Sequence, residues 1–148
     1  MSGYHPDILT AGRNAVFCGI NPASSAERTG YNFSAPSNRF WTVLHLSGFT
    51  AERLQPQDER RLLDYNCGVA AVVRWPTRRA NDVSPQEFRQ ARPEFEERMR
   101  RFAPRSLAFL GKRAYAAMTD VRDVPWGYQG RTIGGIATWI LPNPSGSQ

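Results

Sequence analysis

The residues most suited to ligand binding or catalysis are in two asparagine–proline pairs, each of which follows an apolar segment. Asn21-Pro22 comes after residues 14–20, and Asn143-Pro144 comes after residues 137–141. Small residues surround both pairs and allow close approach to the main chain, while each proline restricts the backbone beside its asparagine. An Asn–Pro pair is also ordinary turn chemistry, but its occurrence at two strand ends favours a cleft with two fixed carboxamides. Such a cleft suits a neutral or weakly anionic polar ligand.

Four apolar segments, separated by helical patterns, are expected to position these asparagines. The predicted strands are residues 14–20, 69–73, 106–110 and 137–141; the predicted helices are residues 39–47, 57–64, 84–102 and 111–118. Strands that are apolar almost throughout are typical of a parallel sheet covered on both faces. Their alternation with helices predicts an α/β fold: a three-layer α/β/α sandwich with a central, mainly parallel sheet of about four strands. Ligands bind at the carboxyl ends of such strands, where both asparagines are expected to lie.

Two of the helices have local start and stop signals. Asn38 can cap the first predicted helix, which Gly48 ends. Ser84-Pro85-Gln86-Glu87 combines a capping serine, a first-turn proline and a following glutamate, which together predict a helix start. Pro93 predicts a break or kink midway along that helix, and Pro104 predicts its end.

Length and charge restrict the class of protein. A chain of 148 residues is expected to form one domain, residues 1–148. No apolar run reaches the ~18 residues of a membrane span, and residues 1–10 lack the segments of a signal peptide, so a cytoplasmic protein is expected. The formal net charge is +6, and Lys112 is the only lysine among 19 cationic residues. A basic chain suits a phosphate-rich partner, although an arginine-rich composition can have other origins.

Several chemistries lack the residues that they require. Cys18 and Cys67 cannot form a four-cysteine zinc or iron–sulfur site, and they fit small core residues of a reduced protein. No Gly-x-Gly-x-x-Gly or phosphate-binding loop follows a predicted strand, and neither a Gly-x-Ser-x-Gly elbow nor the motifs of zinc deaminases occur. His5 and His45 have no catalytic partners in the sequence and are expected to be structural or exposed.

Taken together and in order, six segments resemble one enzyme family. They are Phe17-Cys-Gly-Ile-Asn-Pro, Asn38-Arg-Phe-Trp, Leu62-Leu-Asp-Tyr, Cys67-Gly-Val, Ala108-Phe-Leu-Gly-Lys and Leu141-Pro-Asn-Pro-Ser-Gly. With these segments the chain resembles the mismatch-specific uracil-DNA glycosylases, the Mug/thymine-DNA glycosylase branch of the uracil-DNA glycosylase superfamily. The resemblance extends from about Asp7 to Gly146.

The resemblance implies a monofunctional DNA glycosylase of base excision repair, a monomer that acts on double-stranded DNA in a bacterial cytoplasm and associates with the nucleoid. The enzyme flips a uracil, typically paired with guanine, out of the duplex and hydrolyses its N-glycosidic bond without metal or cofactor. Asn21 falls on the catalytic position that holds the attacking water, and Asn143, the second residue expected to be catalytic, falls in the second motif beside the pocket. Phe33 falls on the aromatic position that stacks against the flipped base.

The chemistry of the reaction is consistent with catalysis by an asparagine and backbone N–H groups, without a metal or cofactor. Negative charge develops on uracil as it leaves, so backbone N–H groups near Ile20, Ala23 and Phe33 are candidate donors. A carboxamide is not a usable general base, so Asn21 can only orient the water, and a slow enzyme is expected.

Contacts with DNA are expected from the last motif and from cations. By resemblance, Ser145 contacts the base, while Gly146 and Ser147 enter the gap that the flipped base leaves. Lys112 and Arg113 follow a glycine at a predicted helix start, where they can hold a phosphate. Two arginine clusters fit either DNA contacts or solvated faces: Arg78-Arg79 and Arg98-Arg100-Arg101.

The sequence departs from the family pattern at several positions. Ala23 and Ser24 replace a glycine and a leucine, and Ala71 replaces a polar or charged residue. Ala26 replaces a pocket serine and leaves room for a 5-methyl group, which extends the hypothesis to thymine and damaged pyrimidines opposite guanine. Ser147 replaces the apolar wedge, and the family's C-terminal helix is lacking, so weak DNA binding is expected. A catalytically weak DNA-lesion-binding protein with the same fold is the alternative.

Overall fold

The computed structural model of the chain describes residues 7–20, 31, 33, 38–75 and 82–144, and a five-stranded sheet lies at its centre. The strands are β1 (Ala15–Gly19), β2 (Cys67–Ala71), β3 (Ser106–Leu110), β4 (Gly127–Tyr128) and β5 (Ala137–Leu141). Their spatial order is β2-β1-β3-β5-β4; the first four are parallel, and β4 is antiparallel to β5. The predicted α/β fold is confirmed, although β2 begins two residues before the predicted segment 69–73.

The prediction of about four strands omits β4. This strand has only two residues, Gly127 opposite Ile140 and Tyr128 opposite Trp139, which is too short for a periodic pattern. Its pairing with β5 arises from the tertiary structure and has no local signal in the sequence.

Helices cover both faces of the sheet and complete the three layers. They are α1 (Phe40–Leu46), α2 (Pro85–Phe102), α3 (Arg113–Thr119) and a 3-10 helix over Pro56–Tyr65. Val16 and Phe109 point to the face covered by α2 and α3, whereas Phe17 and Ala108 point to the face covered by α1 and the 3-10 helix. The side chains of adjacent strand residues thus enter two different apolar layers, which explains why the parallel strands are apolar at nearly every position.

Local signals account for the start of α2 but not for its continuity. The Ser84 hydroxyl accepts a hydrogen bond from the Glu87 N–H (3.2 Å), and the Glu87 carboxylate accepts one from the Ser84 N–H (2.9 Å), so the predicted capping box is confirmed. Of the break or kink predicted at Pro93, the break is wrong, since α2 runs through this residue, and the kink stays a prediction. Pro93 and Arg89, whose carbonyl loses its helical partner, are both exposed, so water can replace the missing donor.

The N-terminal segment covers the outer edge of β2. Ile8 and Val69 exchange two backbone hydrogen bonds of 2.8 and 2.9 Å. A Cβ on Gly68 would lie 2.6 Å from the Ile8 carbonyl oxygen, so only glycine permits this approach. Among the helices that the structure describes, none is long and apolar enough to cross a membrane.

Candidate active site

The parallel strands end along one edge of the sheet, and the segments that follow them carry the candidate residues. The register places Leu110 of β3 opposite Leu141 of β5, and β1 pairs with the other side of β3. Ile20, Lys112 and Asn143, which follow β1, β3 and β5, therefore lie along this carboxyl edge.

The candidate residues divide into those that the structure describes and those that it does not. The described ones are Ile20, Phe33, Lys112, Arg113 and Asn143. The others lie outside the described residues, and their roles stay predictions: Asn21, Ala23, Ala26, Ser145, Gly146 and Ser147. His5 and the Arg78-Arg79 pair also lie outside the described residues.

The backbone of β1 is held by the chain beside it as far as Ile20. The Gly19 carbonyl accepts a hydrogen bond from the Val72 N–H (3.0 Å), and the Ile20 carbonyl accepts one from the Val73 N–H (2.9 Å). Parallel pairing therefore continues past the ends of β1 and β2. Ile20 is partly buried against the core layer beneath α2 and α3.

Asn143 lies against the backbone that follows β3. The Gly111 N–H donates to the Leu141 carbonyl (2.7 Å). A Cβ placed on Gly111 would lie 3.6 Å from both Cβ and Nδ2 of Asn143. Gly111 has a φ of +99°, a backbone conformation that favours glycine. The Leu-Gly-Lys segment and the second Asn–Pro motif are therefore in direct contact.

The second motif also contacts the start of α1. The Arg39 N–H donates to the Pro144 carbonyl (3.0 Å), and Asn38 Oδ1 accepts a hydrogen bond from the Phe40 N–H (2.9 Å). The N-cap residue of this helix is Arg39 and not Asn38 as predicted, but the Asn38 side chain still satisfies the N–H of the first helical residue. Three segments that are distant in the sequence thus meet around Asn143.

Phe33 belongs to an aromatic cluster that extends from β1. Its ring centroid lies 3.9 Å from that of Phe40 at an interplanar angle of 22°. Phe40 in turn meets Phe17 of β1 edge-on at 5.5 Å, and Trp41 meets Phe33 at 6.3 Å. Phe33 is partly exposed and has a φ of 54°, which is uncommon for a residue with a side chain. Packing of one ring face is therefore observed, and stacking against a base stays a prediction.

Lys112 and Arg113 contact different parts of the molecule. The Arg113 guanidinium donates to the Val83 carbonyl and lies 5.3 Å from the ring centroid of Phe88, so it is directed toward α2. The Lys112 ammonium lies 4.3 Å from the ring centroid of Trp126. Lys112 therefore lies at the carboxyl edge beside an aromatic ring, and DNA contact by either cation stays a prediction.

Arg98 is a buried ion-pair residue. Its guanidinium donates to the Asp7 carboxylate, to both carboxylate oxygens of Glu94 (2.8 and 3.0 Å) and to the Ala71 carbonyl (2.9 Å). Asp7 Oδ1 also accepts a hydrogen bond from the Ala71 N–H (3.0 Å). Burial by itself would lower the pKa of Arg98, but the hydrogen bonds and charges of Glu94 and Asp7 outweigh this effect and raise it. The Arg98 side chain is only 4% exposed. For the cluster Arg98-Arg100-Arg101 the sequence predicted either DNA contacts or a solvated face, and both predictions are wrong for Arg98.

The two cysteines and His45 have environments that fit a structural role and not a catalytic one. Cys18 and Cys67 are buried free thiols, and burial raises the pKa of both, that of Cys67 to about 11. Such thiols stay protonated near neutral pH and are poor nucleophiles. His45 Nδ1 lies 3.3 Å from the Thr50 carbonyl oxygen, which fits the predicted structural role. In the part of the chain that the structure describes, no three His, Cys, Asp or Glu side chains are grouped so that they could hold a metal ion.

Two residues near this edge were not predicted from the sequence. Trp126 stands in a Val-Pro-Trp-Gly segment, where a single tryptophan has no pattern that separates a surface role from a core role. Asp7 is paired with Arg98, which lies 91 positions away in the chain, so no spacing rule could have joined them.

Comparison with known families agrees with this arrangement. The model of the uracil DNA glycosylase superfamily matches residues 6–148, and the chain therefore belongs to that superfamily. Members of the superfamily are DNA glycosylases, enzymes that hydrolyse the N-glycosyl bond between a base and its deoxyribose.

Proposed function

We propose that the chain is a monofunctional, mismatch-specific DNA glycosylase of the Mug/thymine-DNA glycosylase branch. Its substrate is uracil paired with guanine in double-stranded DNA. The supporting observations are the position of the Asn143 side chain beside Gly111 and the hydrogen bonds from Gly111 to Leu141 and from Arg39 to Pro144. These contacts join three of the segments by which the chain resembles that branch, and they do so at the carboxyl edge, beside Ile20.

Recognition of the flipped base is assigned to Phe33 and Asn143. The ring of Phe33 is supported on one side by Phe40, and the residue retains exposed surface for a second aromatic contact. A carboxamide such as that of Asn143 both donates and accepts hydrogen bonds, as the polar edge of uracil requires. Ala26, which has no hydroxyl, extends the proposed substrates to thymine and to damaged pyrimidines opposite guanine.

The proposed reaction is hydrolysis by a water molecule that Asn21 orients. The water oxygen forms a bond to C1′ while the bond between C1′ and N1 of uracil breaks, and the bonding electron pair leaves with the base. The water proton passes to solvent or to the departing anion, because a carboxamide is not a usable base. Backbone N–H groups near Ile20, Ala23 and Phe33 stabilise the anion, and one well-placed donor is worth about 3–4 kcal/mol.

Preference for a mismatch follows from the cost of extruding the base. Unpairing and unstacking a nucleotide costs a few kcal/mol, and the cost is lower at a mispair. The enzyme can therefore favour G·U over A·U without reading the surrounding sequence.

A single-turnover assay tests the proposed function. A labelled duplex with one G·U pair is incubated with excess protein, and hot alkali then cuts the strand at abasic sites. Cleavage is expected for the wild type and for Asn14→Ala, which alters an exposed asparagine at the opposite end of β1. Asn21→Ala is expected to slow excision about a hundredfold or more, through lost positioning of the water.

A DNA-lesion-binding protein without useful activity is the second candidate. Ala71 favours it, because this residue presents only a buried methyl group and both of its backbone groups are engaged by Asp7 and Arg98. A gel shift on the G·U duplex without any alkali-labile product would support this second function and overturn the first.

A further inference from the structure

An exposed tryptophan and the single lysine form a pair next to the candidate site. Trp126 is 50% exposed, and the Lys112 ammonium lies 4.3 Å from its ring centroid. Lys112 directly follows Gly111, and the side chain of Asn143 lies beside Gly111. A continuous strip of surface therefore runs from Asn143 over Gly111 and Lys112 to Trp126.

The backbone that carries Trp126 is held on both sides of the residue. Gln129 Nε2 donates to the Pro125 carbonyl (2.6 Å) and to the Gly127 carbonyl (3.0 Å). Gly127 begins β4 and lies opposite Ile140, so Trp126 is level with the carboxyl end of β5. Hydrogen bonds thus fix the turn that carries the indole. The loss of backbone conformational entropy on ligand binding would therefore be small.

The pair has the two properties that a nucleic-acid strand requires. An aromatic face can pack on a base or a deoxyribose, and an ammonium can neutralise a phosphate. Among the residues that the structure describes, Lys112 has no carboxylate within ion-pair distance. Within this region the ammonium is attracted to the π face of Trp126 but keeps its full positive charge, so it is able to bind an anion.

We infer that Trp126 and Lys112 form a second DNA contact, next to the target-base pocket. The indole packs on a base or deoxyribose of the strand that carries the target nucleotide, and the ammonium binds an adjacent phosphate. The inference rests on the proposed function for its partner, DNA, but it concerns binding and does not require excision.

A second exposed tryptophan provides a matched control. Trp139 is 41% exposed and packs against Tyr128, with ring centroids 5.0 Å apart. It lies within β5, and no cation lies over its ring among the described residues. Loss of this indole removes a similar exposed aromatic surface without affecting the strip beside Asn143.

The experiment measures equilibrium binding of the full chain to DNA. Fluorescence anisotropy is recorded with a labelled undamaged duplex, and with the same duplex carrying one G·U pair, over a range of KCl concentrations. Trp126→Ala is expected to raise Kd about fivefold or more, whereas Trp139→Ala should leave it within about twofold. Lys112→Ala is expected to reduce the magnitude of the slope of log K against log salt by about 1.

Circular dichroism of each variant shows whether it is folded. If Trp126→Ala does not fold, Trp126→Phe and Lys112→Ala carry the test, with Trp126→Phe expected to keep most of the affinity. Equal Kd values for Trp126→Ala and Trp139→Ala, or an unchanged salt slope for Lys112→Ala, would overturn the inference even if the wild type excises uracil. Binding that depends on Trp126 in a protein without excision would uphold this DNA contact and overturn the proposed enzyme function.

Discussion

The guanidinium of Arg98 and the carboxylate of Asp7 form a buried ion pair, with side chains that are 4% and 13% exposed. Between them they bind both the N–H and the carbonyl of Ala71 at the end of β2. The next two residues of that chain hold the Gly19 and Ile20 carbonyls. The ion pair therefore supports the backbone that leads into the first Asn–Pro motif, although neither charge belongs to the candidate site.

Removal of one partner of this pair should destabilise the whole domain. We expect Arg98→Met to lower the free energy of unfolding by about 3–5 kcal/mol, because it leaves the Asp7 carboxylate buried without a counter-charge. Urea denaturation followed by circular dichroism measures the change. Arg100→Met is the control, since Arg100 is on the same helix and pairs with Glu97 only at the surface; its effect should stay below about 1 kcal/mol. Equal losses in the two variants would contradict the prediction.

Gly111→Ala should affect excision as well as stability. The positive φ of Gly111 disfavours alanine, which should cost about 1 kcal/mol of unfolding free energy, and the new methyl group would touch the Asn143 side chain. We expect a slower single-turnover excision rate because the methyl group, 3.6 Å from Asn143 Cβ and Nδ2, packs against this side chain and restricts its rotation. Gly135→Ala is the control, since Gly135 has a similar φ of +76° but an added Cβ would meet no atom within 4 Å. Gly135→Ala should lower the free energy of unfolding but leave the excision rate constant unchanged. Similar excision rates for Gly111→Ala and Gly135→Ala would show that the position of Asn143 beside Gly111 does not matter for excision.

Phe33→Ala should weaken excision through lost stacking on the flipped base. A base–aromatic stack is worth about 1–3 kcal/mol, which corresponds to a rate decrease of roughly 5- to 150-fold. Phe49→Ala is a suitable control, because Phe49 is an exposed member of the same aromatic cluster and contacts Phe17 instead of Phe33. An unchanged rate in Phe33→Ala would assign the stacking role to another residue.

The capping box of α2 should make stability depend on pH. The hydrogen bond from the Ser84 N–H holds the pKa of Glu87 below its usual value of 4.5. A carboxylate with a lowered pKa in the folded chain stabilises it above the unfolded pKa, and this stabilisation is lost as pH falls through the folded pKa. Urea titrations at several pH values should show the wild type more stable than Glu87→Gln above about pH 5. The difference should shrink below pH 4.5, and a difference that does not vary with pH would contradict this.

Much of the fold could be predicted because its signals are local. A strand covered on both faces needs an apolar residue at nearly every position, and the four parallel strands satisfy this requirement. The start of α2 is encoded within Ser84–Glu87, and Asn38 predicts the start of α1 to within one residue. Because parallel strands end at one edge, the places of Ile20 and Asn143 also followed from the sequence.

Only the tertiary structure decided which distant residues meet. In the sequence, Arg98 is one of several neighbouring cations, but in the fold it is buried because Asp7, in the segment along the outer edge of β2, supplies its counter-charge. Lys112 and Arg113 are adjacent in the chain, yet one lies against Trp126 and the other against α2. Such contacts depend on how the layers pack and how the strands pair. Hydrophobic periodicity and capping motifs are local patterns, so they cannot predict which distant residues meet.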